Sequence, residues 1–420
     1  LELSAGTLDL DITEQGVGQA RLAFTQVAAK QAKLWLDAPS FVIQRRPGSA
    51  LALDIKPVKI SDRAARPRFP PLVIAGGGKQ AAKIVTARLT ARLPQVPDRP
   101  LSLSARFDLT RKVGQARFEL SALPFDARLQ PKALHPALAQ LQKVRGRVDF
   151  VGSASFTPAG LSASAGQLDL QIDRMTLPGG AVTNLSLPLT LTSLWPLESA
   201  AGQRLDLEKF GQGPAVEDLV LRYRLDARQT GDSPLPVVAV EQATMRLLGG
   251  RLNLGPSRLD PAADAQNLVL LAEELDLVSV LSLLNQEGVA GNGRLRGRVP
   301  LAFRAGQLVI DGVRLEAEGP GVLAFTSGPT EQALIQGGKH INLLLRALQN
   351  FHYQDLLLTL DRQPKSQLLL ALNGSNPDLY AGYPFALNLT LETAAAPLLS
   401  AITAGSSLYE EVIRRALKSR

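Results

Sequence analysis

Residues 294–304 read RLRGRVPLAFR and alternate apolar with polar side chains at a period of two. Successive residues of a β-strand point to opposite faces of the sheet, so this pattern predicts a strand with one apolar and one polar face. The same alternation recurs from Leu1 almost to Thr393. We therefore predict a mainly β fold, in which one long, twisted antiparallel sheet curls into an elongated trough or tube.

Glycine and proline punctuate the predicted strands, and helical periodicity is confined to short pieces. The helical pieces are 131–142, 275–285, 340–350 and 397–420. A parallel sheet needs a crossover connection after each strand, usually a helix, so this scarcity argues against a parallel architecture. We expect the helices at 275–285 and 340–350 to plug or cap the trough locally.

The length of 420 residues exceeds the size at which single cores usually split, yet no long Ser/Pro/Gly linker separates compact domains. About 20 strands at about 4.8 Å spacing would make a sheet roughly 100 Å long. We predict three regions: a basic groove segment at 1–144, its continuation at 145–393, and an amphipathic helical tail at 394–420.

The predicted inner face is aliphatic, because only 5% of the residues are aromatic while 45% are hydrophobic. Such a lining suits acyl chains better than stacked bases or sugar rings. Replacing Leu170 or Leu221 by Asp would place an unpaired charge on it. The candidate groove residues are Leu168, Leu170, Ile172, Leu219, Leu221, Tyr223, Leu225, Leu295, Val299, Leu301, Phe303, Leu387, Leu389 and Leu391.

The net charge of +8 is unevenly distributed. Residues 1–150 carry 24 Lys or Arg against 12 Asp or Glu, a net +12, and the remainder carries 22 against 26, a net −4. The basic side chains follow strand faces and loops, which favours a solvated exterior over an anionic membrane surface. Nucleic-acid binding would need interleaved aromatic residues, which this chain lacks.

The chain contains no cysteine, no apolar run long enough to span a bilayer and no signal peptide. It opens at Leu1, without methionine, directly in a predicted strand. We expect it to be a fragment whose upstream part is missing.

Enzyme signatures are unconvincing. The segment 75–80 reads AGGGKQ, but Gln80 stands where a phosphate loop needs Ser or Thr, so we predict a hairpin turn. The segment 291–297 has the wrong spacing for a dinucleotide loop and is interpreted as a turn that enters a strand. The three histidines lack a second ligand at metal spacing, and Glu273-Glu274 is interpreted as a solvated helical pair. We predict neither catalysis nor a cofactor.

The C-terminal half resembles the YdbH family of Gram-negative envelope proteins, within the AsmA-like group. The similarity covers roughly residues 145–405, and its individual pieces are short but occur in a specific order. It rests on 248–251 (LGGR), 275–277 (LDL), Gly288, Gly291, Gly293, 296–297 (RG), 300–301 (PL), 319–321 (GPG), 351–353 (FHY), 373–377 (NGSNP), 382–384 (GYP) and 387–392 (LNLTLE).

This resemblance implies a bridge across the periplasm, anchored in the inner membrane by an N-terminal helix that is missing here. The β-groove of the bridge would carry phospholipid toward the outer membrane, with a small outer-membrane lipoprotein as partner. The family implies no catalytic residues.

Three classes of function remain open: a lipid-conducting bridge, a structural tether or TamB-like outer-membrane assembly factor, and an enzyme with an unrecognised site. A continuous apolar interior with bound lipid would favour the bridge, and a trough filled by its own side chains would favour the tether. A buried cluster of carboxylates or histidines would indicate an enzyme.

The last predicted strand has no recognisable strand after it, so its edge can present unpaired backbone groups to a partner strand. The lipoprotein is the partner that the resemblance implies, and the equally weighted alternative is that the tail at 394–420 folds back over this edge. The candidate docking residues are Tyr383, Phe385, Asn388 and Thr390.

Overall fold

The computed structural model describes residues 2–13, 16–29, 33–45, 51–64, 69–211, 214–228, 236–261, 263, 265–283, 289–304, 307–310, 312–325, 346–361 and 367–392. These residues form a single sheet of 27 strands with a few short helices. Every strand pairing among them is antiparallel, beginning with β1 (Glu2–Thr13) and β2 (Gly16–Ala29). The predicted mainly β fold is confirmed.

The strands in the first half of the chain after β2 are bounded as follows: β3 Leu34–Asp37, β4 Ser40–Arg45, β5 Leu51–Asp62, β6 Leu72–Ala81, β7 Ile84–Arg92, β8 Leu101–Asp108, β9 Val113–Phe125, β10 Gln142–Thr157, β11 Gly160–Leu177, β12 Gly180–Leu194, β13 Leu197–Ser199 and β14 Gln203–Gly211. The second half contains β15 Val216–Asp226, β16 Val237–Leu247, β17 Gly250–Leu254, β18 Ser257–Leu259, β19 Ala265–Asp276, β20 Val289–Gly291, β21 Arg294–Arg304, β22 Gln307–Ile310, β23 Val313–Ala317, β24 Gly321–Phe325, β25 Phe351–Asp361, β26 Gln367–Ser375 and β27 Phe385–Glu392.

Strand order follows the chain. From β5 to β12 each strand pairs with the next, and β25, β26 and β27 do the same at the far end. At three places two short strands pair, one after the other, with the same longer strand. β3 and β4 both pair with β2 and with β5, β17 and β18 both pair with β16, and β22 and β23 both pair with β21. Consecutive hairpins of this kind need only short turns, which explains the scarcity of helices.

The core lies on the apolar face of the sheet in three clusters. The largest spans β16 to β27, a second gathers around β9 to β11, and a third links β11, β12 and β15. In β21 the predicted alternation is observed: Leu295 and Leu301 are buried, whereas Arg294, Arg296 and Arg298 are exposed.

The helices are shorter than predicted. In the segment 131–142 the structure has α1 (Pro131–Leu134) and a 3-10 turn at Pro136–Leu138, and in 275–285 it has α2 (Leu277–Leu283). Of 340–350 only the last residues are described, with a helical turn at 346–348, and 397–420 lies outside the described residues.

Two sequence interpretations are wrong. Residues 75–80 do not form a hairpin turn but lie within β6, and the turn follows at Ala82, whose φ is 51°. Gly76 and Gly77 allow β7 and β5 to approach, because a Cβ on either would collide with a backbone carbonyl of its neighbour. Glu273 and Glu274 lie in β19, which continues to Asp276, and are not helical, because the helix begins only at Leu277.

The sheet continues through the predicted division after residue 144, which falls inside β10. The division into regions stays a prediction, and the tail at 394–420 lies outside the described residues.

Candidate functional site

The apolar face of the sheet is incompletely covered in the first part of the chain. Leu8 is 57% exposed, Leu53 37% and Phe107 38%, although they belong to three different strands. Leu8 and Leu10 share a face of β1 because they are two residues apart, and Leu51 and Leu53 share a face of β5 for the same reason. Rows of paired residues on the intervening strands connect Leu10 to Leu53 and Leu51 to Phe107. The register therefore places Leu8, Leu53 and Phe107 on one face. An exposed apolar surface that crosses several strands indicates a binding surface for another apolar molecule.

Small side chains form one row across this surface. Paired positions on successive strands are Gly78, Ala87, Ala105, Ala116 and Ala154. A cavity of about 990 Å³ borders this row, but most of its wall comes from residues of the polar face, such as Lys79, Arg88 and Arg106, so it is not part of the apolar surface. The row leaves space between the bulkier rows on either side of it.

The apolar face is covered at the far end of the sheet, where the protein's own side chains fill the trough. Leu277 and Leu281 of α2 are fully buried against Leu295, Leu323 and Phe351. Asp276 fixes the start of this helix, because its carboxylate accepts hydrogen bonds from the Ser279 backbone N–H at 2.9 Å and from the Ser279 hydroxyl at 2.5 Å. The prediction that this helix plugs the trough is confirmed.

Part of the predicted helix at 340–350 contributes to the same plug. Ala347 and Leu348 are buried, and Leu348 belongs to the same cluster as α2. His340 lies outside the described residues.

The predicted groove residues with described side chains are buried or half-buried. Ile172 and Leu170 pack in the second cluster, while Leu168, Tyr223 and Leu225 pack in the third. Leu221 contacts both the first and the third clusters, and Leu219 is half-buried. The first cluster contains or contacts Leu295, Val299, Leu301, Phe303, Leu387 and Leu389; Leu391 pairs with Leu368, and its side chain lies outside the described part of the chain.

The predicted docking residues divide between the two faces of β27. Phe385 packs edge-to-face on Phe351, with ring centroids 5.4 Å apart, so its side chain belongs to the core. Asn388 and Thr390 are exposed, and Tyr383, just before the strand, is 74% exposed. Within the described residues β27 pairs with β26 alone, which leaves its other edge unpaired.

Burial changes the pKa of two tyrosines in these clusters. Desolvation raises the pKa of the Tyr223 phenol and of the Tyr353 phenol above the ordinary value. Among the residues that the structure describes, no three His, Asp or Glu side chains are placed to hold a metal ion.

The exposed leucines and phenylalanines of β1, β5, β8 and β10 are the part of the surface that the sequence interpretation missed. The alternation of Leu8 with Leu10 and of Leu51 with Leu53 is visible in the sequence. What was missing was the register, since only the pairing of neighbouring strands shows that these residues share a face.

The comparison with protein families supplies independent evidence. The model of a family described as YdbH-like, intermembrane phospholipid transport protein YdbH, matches residues 1–417. The chain belongs to the YdbH-like family. The match includes residues 1–140, for which the sequence offered periodicity but no motif. Neither a curated protein nor a solved structure matches the chain.

Membership of the YdbH-like family assigns the chain to phospholipid transport between membranes, and therefore to the cell envelope. Within the described ranges, no helix is long and apolar enough to cross a membrane.

Proposed function

We propose that this chain is part of a periplasmic bridge that carries phospholipid between the inner and outer membranes along the apolar face of its sheet. The observation that carries the proposal is the one-sided exposure of large apolar side chains, such as Leu8, Leu53 and Phe107, in the first ten strands. Their neighbours Asp54 and Arg106 lie on the other, polar face.

The energetics suit movement along such a surface. Burial of apolar area contributes about 25 cal/mol per Å², or about 0.8 kcal/mol per methylene, so an acyl chain of about 16 carbons gains on the order of 10 kcal/mol. Repeated aliphatic positions across neighbouring strands offer similar free energies, while the headgroup stays in water at the rim. A lipid can then shift along the sheet without entering a single deep minimum.

A structural tether or TamB-like assembly factor is the second candidate function. It is supported by the filled trough of the last strands, where Leu277, Leu281 and Leu323 occupy the space that a lipid chain would need. In our proposal the lipid follows the exposed apolar face of the first ten strands. It then either leaves the groove before it reaches α2, or α2 moves aside to let it pass.

The remaining partners are proposed from the resemblance and the sheet edge. An N-terminal anchor outside this sequence would hold the bridge in the inner membrane, and a small outer-membrane lipoprotein would pair with the free edge of β27. We propose no enzymatic activity.

Mass spectrometry of lipids that co-purify with the full chain tests the proposal. We expect diacyl phospholipid with the native protein and much less with Leu103→Asp, which places a charge on the apolar face between Leu89 and Phe118. The matched control is Ser104→Asp on the polar face, which should retain lipid. Folding of both variants is checked by circular dichroism. Absence of lipid from the native protein, or equal retention by the two folded variants, would contradict the proposal.

A further inference from the structure

The two edges of the trough differ between β6 and β11. At one edge the strands are joined by short turns at 82–83, 109–112 and 158–159, and we call this side the hairpin edge. At the other edge, longer connections cover the apolar face, because Leu93, Val96 and Leu129 are buried in the second cluster. The apolar face is thus closed along one edge only.

Large apolar side chains are exposed along the hairpin edge. Phe107 pairs with Gly114, Gly114 pairs with Phe156, and Phe156 pairs with Leu161, so they form one row of the apolar face. Phe107, Phe156 and Leu161 are all exposed, as is Leu109 in the adjoining turn.

The row of small side chains from Gly78 to Ala154 lies two residues further in from this exposed row. An acyl chain in the row of small side chains would be bordered by the covered edge on one side and by the hairpin edge on the other. The hairpin edge is therefore the side at which a lipid headgroup can reach water.

Cationic side chains concentrate in the turns of this edge. Residues 80–85, 107–114 and 155–162 contain Lys83, Arg111 and Lys112 against one carboxylate, that of Asp108. The three cationic side chains are exposed. Neither Lys83 nor Lys112 forms an ion pair with another described residue, whereas Lys56 on β5 pairs with Asp54 at 2.8 Å. The hairpin edge keeps an excess of two positive charges.

Backbone hydrogen bonds hold these turns in place. The Asp108 carboxylate accepts from the backbone N–H groups of Thr110 and Arg111 at 2.8 and 2.9 Å. The Leu109 N–H donates to the Lys83 carbonyl at 2.8 Å and so joins two neighbouring turns. Because none of these bonds uses a lysine or arginine side chain, the cationic groups can be replaced without loss of the turns.

The charge of this edge discriminates between headgroups. A phosphodiester accepts charge-assisted hydrogen bonds from ammonium and guanidinium groups. In a zwitterionic lipid the ammonium of the headgroup offsets this attraction, whereas an anionic lipid keeps its full negative charge. The edge therefore favours a lipid of net negative charge.

We propose that the hairpin edge holds the headgroups of anionic phospholipids, with the phosphodiester at Lys83, Arg111 and Lys112 and the acyl chains on the apolar face. The inference rests on the proposed lipid-carrying function and names the headgroup class that this part of the groove prefers.

Competitive photo-crosslinking tests the assignment. The full chain with a crosslinker at Phe107 is exposed to equal amounts of phosphatidylglycerol and phosphatidylethanolamine with identical acyl chains, and mass spectrometry measures the adducts. We expect about fivefold more phosphatidylglycerol, which is the effect of one cation near an anionic lipid. Added salt should reduce this ratio, because exposed charges are screened.

The triple variant Lys83→Gln/Arg111→Gln/Lys112→Gln should bring the ratio close to one. The matched control is Lys79→Gln/Arg88→Gln/Arg117→Gln, which removes the same charge from exposed positions on the polar face and should keep the preference. Circular dichroism checks that both variants fold.

Three results would overturn the assignment: equal adducts in the native chain, a preference that survives in the variant of the turns, or a preference lost equally in the control. Competition by glycerophosphoglycerol at the lipid's concentration would also overturn it and would identify a soluble phosphate ligand. If lipid still labels Phe107 in these cases, the proposed function stands. Absence of both lipid adducts would contradict the proposed function itself.

Discussion

The phenolic hydroxyl of Tyr353 donates a hydrogen bond of 2.9 Å to the backbone carbonyl of Asn292, 61 residues earlier in the chain. The hydroxyl lies against Gly293 and Gly321, and a Cβ on either glycine would overlap it. Tyr353 thereby joins the turn before β21 to β24 and β25. This contact gives a physical reason why two glycines and an aromatic residue distant in sequence occur together in the family resemblance.

Tyr353 predicts a pH dependence of stability. Burial raises the pKa of its phenol above the ordinary value of about 10, so the unfolded chain releases this proton at a lower pH than the folded chain. The stabilising contribution is complete below about pH 10 and is lost as the pH rises through the folded-state pKa. Tyr353→Phe should therefore reduce the loss of unfolding free energy that the native chain shows as the pH rises above about 10.

Urea unfolding at a series of pH values measures this effect. Because burial also raises the pKa of Tyr223, the double variant with Tyr223→Phe should show a still flatter alkaline profile. An alkaline slope unchanged in both variants would show that these phenols ionise equally in the folded and unfolded chains.

Neighbouring leucines in β26 test the assignment of faces. Leu370 is 1% exposed and Leu369 39% exposed. Leu370→Ala should lower the free energy of unfolding by about 2 to 5 kcal/mol, because it leaves a cavity in the largest cluster. Leu369→Ala should change it by much less, about 0.5 kcal/mol. Similar losses in denaturant unfolding would contradict the observed alternation.

The plug formed by α2 can be tested in the same manner. Leu281→Ala removes a fully buried side chain and should cost about 2 to 5 kcal/mol of unfolding free energy, whereas Ser282→Ala, at an exposed position, should be nearly neutral. A nearly neutral Leu281→Ala would show that the helix does not pack into the trough in solution.

Much of the fold could be predicted because the alternation of side chains is a local property. The pattern in β21 and β26 indicates a strand and its buried face without knowledge of its neighbours. The same approach failed at Gly76 and Gly77, where glycines usually indicate a turn but here permit close approach of adjacent strands. It also failed at Glu273 and Glu274, where β19 ends directly before a helix.

The candidate site was less predictable because it depends on register and on contacts between distant residues. The residues Leu8, Leu53 and Phe107 share a face only through the pairing of intervening strands. The ring of Phe385 packs on Phe351, a contact between two strands that the sequence alone does not show, and the place of Phe385 at a docking edge stays a prediction.

The free edge of β27 predicts a partner contact. A photo-crosslinker at Asn388 in cells should capture a small outer-membrane lipoprotein, because the unpaired backbone groups of this strand can accept another strand. A crosslinker at Asn373, exposed on the adjacent β26, is the matched control and should capture much less. Capture only of the chain's own residues 394–420 would instead identify that tail as the cover of the edge.

The central claim is that lipid travels on one face of the sheet, and site-specific photo-crosslinking in cells tests it most directly. A crosslinker at Phe107, on the apolar face of β8, should become attached to phospholipid, whereas one at the adjacent Arg106, on the polar face, should not. The pair Leu53 and Asp54 in β5 should repeat the contrast. Mass spectrometry of the labelled protein measures the lipid adducts. Lipid on the two apolar-face positions alone is the predicted result, and equal labelling of both faces would contradict the account.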